Sequence, residues 1–275
     1  MIRWNKTPNS RRRMIVLFAA SLPLVLLLNA AAARSATPGA QEAPQAPALH
    51  VAALSGNLDE VKRLLSSGAN VNERDSRKAT ALHYAAFKQS PEIVLYLIEH
   101  GANVNAKDYH DSTPIFVAVG RGNADIVRLL ADHGANVRTK NDGHYAPIHL
   151  AVRGDSAEIV RILCEKGADL KAKADFDSKT PLHMAKSPEV AAVLLEHGAA
   201  VNARDKSKHT PLHTCGDVRI ARLLLDNGVD MNAKDKFGQT ALAYALVGSD
   251  HVTPRFREQY RAIAKLLRER GAKEN

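Results

Sequence analysis

Residues 80–105 read TALHYAAFKQSPEIVLYLIEHGANVN, and this stretch contains the pattern that decides the fold. Thr80 is a residue type that caps helix N-termini, and apolar residues follow it at helical spacing. The segment from Glu92 to Glu99 has a second run of apolar residues at this spacing. It ends before Gly101, whose freedom to take a left-handed conformation stops helices. The stretch therefore predicts two short helices followed by an extended segment.

The same pattern restarts every 30 to 34 residues from residue 47 onward, which gives seven units. Each unit leaves an apolar face that only its neighbours can cover, so the period indicates a quasi-linear stack of repeats. The units begin with the same short phrase, at Pro47, Thr80, Thr113, Ala146, Thr180, Thr210 and Thr240.

The phrase, written Thr-Pro-Leu-His at Thr180 and Thr210, and the later Gly-Ala-Asn-Val-Asn resemble the ankyrin repeat over residues 47–275. The resemblance implies an all-α repeat solenoid, elongated and curved, in which helix-turn-helix units alternate with β-turn fingers. It also implies that the motif histidines bond to the finger backbone and that a concave face of fingers and first helices holds a protein partner. The motif histidines are His50, His83, His149, His183 and His213.

Two departures from the family pattern predict local differences. Five finger tips lack the usual glycine, so we expect several tips to differ in shape. The repeats that begin at Thr180 and Thr210 are 30 residues long and leave room for barely one turn of first helix. The non-glycine tips are Lys78, Asp111, His144, Ser178 and Lys208.

Residues 1–33 read as a signal peptide, with a basic start, an apolar run from Met14 to Leu28 and small residues up to Ala33. We expect a mature chain that begins near Arg34 and a flexible Pro/Ala-rich linker over residues 34–46. The apolar run is also long enough for an uncleaved anchor, and Arg11-Arg12-Arg13 loosely resembles a twin-arginine signal. Export to the bacterial periplasm is the leading expectation, with membrane-anchored or extracellular locations as alternatives.

The formal charge of +9 does not indicate a nucleic-acid binder. Five of the basic residues precede Met14, and the rest of the chain has 33 basic and 29 acidic residues, an ordinary solubilising excess. A nucleic-acid binder concentrates its cations in a stripe. We therefore expect no nucleic-acid partner, and the domain is expected to be monomeric alone.

No motif for catalysis or cofactor binding is present in the sequence. Gly-x-Ser-x-Gly, the Walker A loop, the dinucleotide fingerprint and Cys-x-x-Cys are all missing. The motif histidines are spaced by about a repeat, whereas zinc requires one tetrahedral cluster. We expect no enzyme activity, no metal and no cofactor, and we expect Cys164 and Cys215 to be buried free thiols.

The resemblance places candidate partner-binding residues on the fingers, since aromatic and arginine side chains are the usual anchors of interfaces. A protein that binds a partner outside the cytoplasm is the leading hypothesis. The alternatives are a secreted effector that binds a host protein and, third, a metal-binding or enzymatic protein. First-helix candidates are Tyr84, Phe87, Lys88, Arg121, Arg153 and Lys186. Finger candidates are Arg77, Lys78, Tyr109, His110, Asp111, His144, Tyr145, Phe176, Asp177, Lys206, Lys208 and Phe237.

Overall fold

The computed structural model describes residues 47–174, 177–251 and 254–273. The predicted signal peptide and linker, residues 1–46, and the candidate Phe176 lie outside the described residues. The helices form seven consecutive pairs, and the first helix of each pair begins one residue after the repeat phrase starts. The bounds are α1 Ala48–Ser55, α2 Leu58–Ser66, α3 Ala81–Lys88, α4 Pro91–Glu99, α5 Pro114–Arg121, α6 Ala124–Asp132, α7 Pro147–Arg153, α8 Ala157–Glu165, α9 Pro181–Met184, α10 Pro188–Glu196, α11 Pro211–Thr214, α12 Val218–Asp226, α13 Ala241–His251 and α14 Pro254–Glu269.

The helices begin and end where the local sequence supplies caps. The side chains of Asn57 and Asn123 accept the amide hydrogens of residues in the first turns of α2 and α6. Gly56 and Gly122 end α1 and α5 with φ of 78° and 73°, a conformation that costs glycine little. The helix pairs are therefore set by the sequence within each repeat.

The core runs through the stack as one continuous apolar layer. First helices pack against the first helices of neighbouring repeats, and second helices do the same. Leu82 and Ile115 are fully buried on the first helices, and Leu97 and Leu130 are fully buried on the second helices. Each repeat thus covers the apolar face of its neighbour, and the expected all-α solenoid is confirmed.

The repeats that begin at Thr180 and Thr210 have first helices of only four residues, α9 and α11. The expectation of a single helical turn there is confirmed. At 1.5 Å per residue, the row of first helices loses about 6 Å of helix at each of these two repeats.

The motif histidines tie each repeat to the segment that follows it. The amide of Thr80 donates to His83 Nδ1 at 3.1 Å, and His83 Nε2 bonds to the carbonyl oxygen of Ser112 at 3.1 Å. Because Nδ1 accepts, the ring carries its proton on Nε2 and donates from there. His50, His149, His183 and His213 bond through Nε2 to Ala79, Ala172, His209 and Gln239.

The described part of the chain contains no helix that combines the length and the apolar character required to cross a bilayer. The candidate anchor of the sequence analysis lies within residues 1–46 and so outside this part.

Candidate functional site

Six short turns connect the repeats, and we number them as fingers 1 to 6. Finger 1 is residues 75–79, and the side chain of Asp75 fixes its shape. One carboxylate oxygen, Oδ1, accepts the amides of Arg77 and Ala79 at 2.8 and 2.9 Å. Asp108, Asp205 and Asp235 make the same pair of bonds in finger 2 (108–112), finger 5 (205–209) and finger 6 (235–239).

Finger 3 is built differently. Asn141 begins this finger (141–145), and among the described residues its side chain accepts the amide of Tyr145. Finger 3 therefore has an amide where fingers 1, 2, 5 and 6 have a carboxylate. In finger 4 (174–179), where residues 175 and 176 lie outside the described residues, the amide of Ala174 donates to the carbonyl oxygen of Lys179 at 2.8 Å.

Neighbouring fingers are joined by backbone hydrogen bonds. The amide of Tyr109 in finger 2 donates to the carbonyl oxygen of Arg77 in finger 1 at 2.8 Å. Equivalent bonds join fingers 2 and 3, 4 and 5, and 5 and 6, from Asp142 to His110, from Lys206 to Asp177 and from Lys236 to Ser207. The side chains of successive fingers consequently lie in fixed register along one edge of the stack.

The finger tips do not differ in backbone conformation, so that expectation was wrong. Five non-glycine tips take left-handed φ values between 56° and 61°, close to the region of Gly238 at 79°. The hydrogen bonds of the fingers impose this conformation although an L side chain there costs roughly 1–2 kcal/mol. The tips are Lys78, Asp111, His144, Ser178 and Lys208.

Tyr84 is not a surface residue, which corrects its assignment to the binding groove. Its side chain is buried, and its hydroxyl donates to Asp75 Oδ2 at 2.6 Å. Tyr244 on α13 donates in the same way to Asp235 at 2.9 Å. These bonds show that fingers pack against the first helices, so the ends of both can contribute to one face.

Tyr109 and Phe237 are the two most exposed large apolar side chains on the described fingers, at 69% and 73% exposure. The ammonium of Lys78 lies 5.6 Å from the centre of the Tyr109 ring, and Lys236 lies 4.9 Å from the ring of Phe237. Each ring therefore has a cation beside it, and most of its surface faces solvent. Lys236 was missed as a candidate, although it occupies the same finger position as Lys206.

Tyr145 and Phe87 are half-buried, unlike Tyr109 and Phe237. The guanidinium of Arg153 on α7 lies 5.8 Å from the Tyr145 ring in finger 3. Arg121 lies 4.7 Å from the ring of Phe87 on α3. The contact between Arg153 and Tyr145 places a first-helix end beside a finger and so confirms that the two share a face.

We name the surface formed by the fingers and the first-helix ends the finger face. Three of its carboxylates lie beside basic side chains. Asp111 lies 3.5 Å from Lys107, Asp142 lies 3.0 Å from His110, and Asp177 lies 3.7 Å from Lys179. The remaining finger candidates Arg77, Lys78, His144, Lys206 and Lys208 are exposed, as are Lys88, Arg121 and Lys186 at the first-helix ends.

His209 is the one finger histidine enclosed by polar groups. Its Nδ1 lies 3.3 Å from Asp205, and its Nε2 lies 3.0 Å from the Tyr244 hydroxyl and 3.5 Å from Asp235. Both carboxylates are buried, and burial raises the pKa of Tyr244 to about 12. The ring therefore joins finger 5 to finger 6 and to α13.

The titratable groups of the described residues do not form a catalytic arrangement that we recognise. Burial lowers the pKa of His83, His149, His183 and His213, which suits their role as neutral hydrogen-bonding groups. Burial raises the pKa of the Cys215 thiol to about 12, and that of Cys164 to about 11. Cys164 is only half-buried, which corrects its expected full burial. Within the described ranges, no three metal-binding side chains converge on one point.

The family model described as "Ankyrin repeats (3 copies)" matches the chain over residues 17–108, 109–174 and 171–235. No curated protein sequence matches the chain.

Two solved structures are similar to the chain at 28% identity. The crystal structure of the human ASB11 ankyrin repeat domain covers 84% of this chain and 100% of its own, with a TM-score of 0.69. The ankyrin repeat domain of Bcl-3, described as a unique member of the IkappaB protein family, covers 80% of this chain and 100% of its own, with a TM-score of 0.67.

Proposed function

Because this chain belongs to the ankyrin-repeat family, we propose that it binds a partner protein outside the cytoplasm through its fingers and first-helix ends. Ankyrin repeats are generally protein–protein interaction modules, and they are typically non-enzymatic. The proposed role is therefore recognition without catalysis.

The observation that carries this proposal is the exposure of Tyr109 and Phe237 on fingers 2 and 6. Large aromatic side chains contribute most to binding when a partner buries them, and they gain nothing for folding while they face solvent. Only 5% of the chain is aromatic, so two such rings on one finger row single out that row. The finger-to-finger hydrogen bonds fix the backbone that carries the rings before a partner binds, and this lowers the entropic cost of binding.

The proposed location outside the cytoplasm is supported by residues 1–33 alone. Their basic start, apolar run and small residues at Ala31 and Ala33 have the order of a signal peptide. The test is the N-terminal sequence of the protein isolated from its native cells. A start near Arg34 in a non-cytoplasmic fraction is the expected result. An intact Met1 in the membrane fraction would indicate an anchor, and an intact chain in the cytoplasm would overturn the proposal.

Chemical cross-linking followed by mass spectrometry tests the binding surface. The wild-type chain should capture a partner that the double variant Tyr109→Ala, Phe237→Ala loses. Tyr96→Ala removes an aromatic ring from α4, on the second-helix side, and serves as the control that keeps the partner. All three proteins should first be shown to be folded by circular dichroism. Capture that survives the double variant would show that the finger face is not the binding surface.

A further inference from the structure

Cationic side chains follow the finger face from one end of the stack to the other. Three of them lie on fingers 1, 5 and 6, and three lie at or just beyond the ends of first helices in the second, third and fifth repeats. We name this set the basic track, and its members are Lys78, Lys88, Arg121, Lys186, Lys206 and Lys236. All six are exposed.

The charges of the basic track are not neutralised within the described residues. None of the ion pairs formed there includes any of these six side chains. The acidic side chains Asp111 and Asp177 on the same face are paired with Lys107 and Lys179, and Asp142 accepts a hydrogen bond from His110. Among the described residues, the face therefore presents an excess of positive charge that is available to a partner.

Three members of the track lie against aromatic rings. Lys78 is beside Tyr109, Arg121 is beside Phe87, and Lys236 is beside Phe237. A ring next to a cation offers an apolar surface and a charge to the same short segment of a partner. The pairs at Tyr109 and Phe237 lie near opposite ends of the track, so both ends have this composition.

The length of the track sets the length of the partner segment. The first helices of neighbouring repeats pack against each other, and packed helices lie about 8–10 Å apart, which gives about 10 Å per repeat. Fingers 1 and 6 are five repeats apart, so the track is about 50 Å long. An extended polypeptide rises about 3.3–3.6 Å per residue and covers that distance with about 15 residues.

We propose that the partner presents an extended, acidic polypeptide segment of about 15 residues to the basic track, with apolar side chains near its ends. This inference rests on the proposed function and adds the chemistry of the partner to it. The acidic side chains lie beside the lysines and arginines, and the terminal apolar side chains pack on Tyr109 and Phe237.

A polypeptide fits the face better than a single-stranded nucleic acid. A phosphodiester backbone has a negative charge at every nucleotide, whereas the basic track has no member on fingers 2 to 4. An acidic polypeptide can place neutral residues there. The nucleic acid is therefore the rival outcome in the test.

The test is a fluorescence-anisotropy titration of the full chain at 150 mM salt. The probes are labelled peptides of 16 and 8 residues in which glutamate alternates with serine, with one phenylalanine near each end. A 16-residue lysine–serine peptide and a 16-nucleotide oligothymidylate complete the set. We expect the 16-residue acidic peptide to bind at least about tenfold more tightly than the 8-residue peptide, because it engages both ends of the track. We expect the lysine peptide and the oligothymidylate to bind more weakly than either acidic peptide.

Charge-reversal variants locate the binding. Lys78→Glu with Lys236→Glu alters both ends of the track and should weaken the long acidic peptide at least about tenfold. Lys62→Glu with Lys265→Glu makes the same change in net charge on the second helices α2 and α14, where both lysines are exposed, and should leave the affinity within about twofold. A folded state of both variants by circular dichroism is the precondition for the comparison.

Three results would overturn the inference. These are equal affinity for the two acidic peptides, equal loss in the two double variants, or tighter binding of oligothymidylate that also depends on Lys78 and Lys236. The proposed function is judged separately by cross-linking. A native partner that depends on Tyr109 and Phe237 but is retained by Lys78→Glu with Lys236→Glu would preserve the function and reject the acidic segment.

Discussion

Gln89 ends α3 in the left-handed conformation that Gly122 takes at the end of α5, with φ of 64° and 73°. Glycine pays no side-chain penalty there, although it is more flexible in the unfolded chain. Gln89→Gly should therefore raise the free energy of unfolding by about 0.5–1 kcal/mol. Urea denaturation of the variant and the wild type at one temperature measures the change.

Two glycine-to-alanine substitutions separate the effect of backbone strain from that of an added methyl group. A Cβ atom at Gly122 or at Gly216 would meet no neighbouring heavy atom within 4 Å, yet only Gly122 has a positive φ. Gly122→Ala should lower the free energy of unfolding by about 1 kcal/mol, and Gly216→Ala should not lower it. Equal effects of the two changes would contradict the role of the left-handed backbone.

The buried motif histidines make the free energy of unfolding depend on pH. The folded chain lowers the pKa of His83, His149, His183 and His213 below the ordinary value of 6.5, so the unfolded chain binds protons first as the pH falls. Their contribution is complete above about pH 6.5 and is lost as the pH falls through the lower folded-state values. Each histidine contributes a slope of at most about 1.4 kcal/mol per pH unit in that window.

Urea denaturation between pH 7.5 and 4.5 checks this dependence. His213→Gln removes one of the four titrating rings and should reduce the slope below pH 6.5. His133→Gln changes an exposed ring that bonds only within its own helix, to Leu129, and is the matched control. A free energy of unfolding that is constant or rises from pH 6.5 to 5 would be inconsistent with neutral, buried histidines.

Among single residues, the sequence predicted the role of the histidines correctly but misplaced Tyr84. The histidine role follows from a motif that recurs, whereas the burial of Tyr84 depends on Asp75, nine residues earlier in a finger. The contacts of His209 with Asp205, Asp235 and Tyr244 were also not predicted, because Asp235 and Tyr244 belong to the two following repeats. Contacts between repeats leave little trace in the sequence of either repeat.

Among elements, fingers 1, 2, 5 and 6 depend on one carboxylate each. Asp75 holds finger 1 through two amide bonds and the bond to Tyr84. Asp75→Ala should lower the free energy of unfolding by about 2 kcal/mol, since hydrogen bonds to a charged group are among the stronger ones. Hydrogen exchange should also become faster at the amides of Arg77 and Ala79.

Asp59→Ala is the control for this change. Asp59 lies exposed in the first turn of α2, where its charge contributes only a few tenths of a kcal/mol through the helix dipole. A cost at Asp75 no greater than that at Asp59 would show that the finger does not need its carboxylate.

The helices were predictable from the sequence and the finger tips were not. Apolar spacing and capping residues define each helix, including the single turns α9 and α11. At Lys78 and Lys208 the tip conformation follows instead from the Asp-centred hydrogen bonds of fingers 1 and 5, which hold these residues in a backbone region that their own propensities disfavour. Of the candidate binding residues, Tyr109 and Phe237 were selected because aromatic residues are rare in this chain.

At the scale of the whole domain, stability should be uneven along the stack. A repeat array is stabilised by each repeat and by its contacts with neighbours. The four-residue helices α9 and α11 supply fewer backbone hydrogen bonds and less buried surface than the eight-residue helices α3 and α5. Native-state hydrogen exchange should therefore show lower protection in residues 181–226 than in residues 81–165. Uniform protection across the two ranges would mean that the shortened repeats are fully compensated by their neighbours.

The finger-to-finger hydrogen bonds also have a mechanical consequence. Backbone bonds from Tyr109 to Arg77, from Asp142 to His110 and from Lys236 to Ser207 make one margin of the stack resist extension. The margin formed by the second helices is held by apolar contacts and by exposed ion pairs, such as that of Arg161 with Glu196, which break more readily than a row of backbone hydrogen bonds. The finger edge of the domain should therefore resist extension more than the edge formed by the second helices. The domain should bend by changes in the spacing of the second helices. In an optical trap, separation of neighbouring fingers should require a higher force than separation of neighbouring second helices.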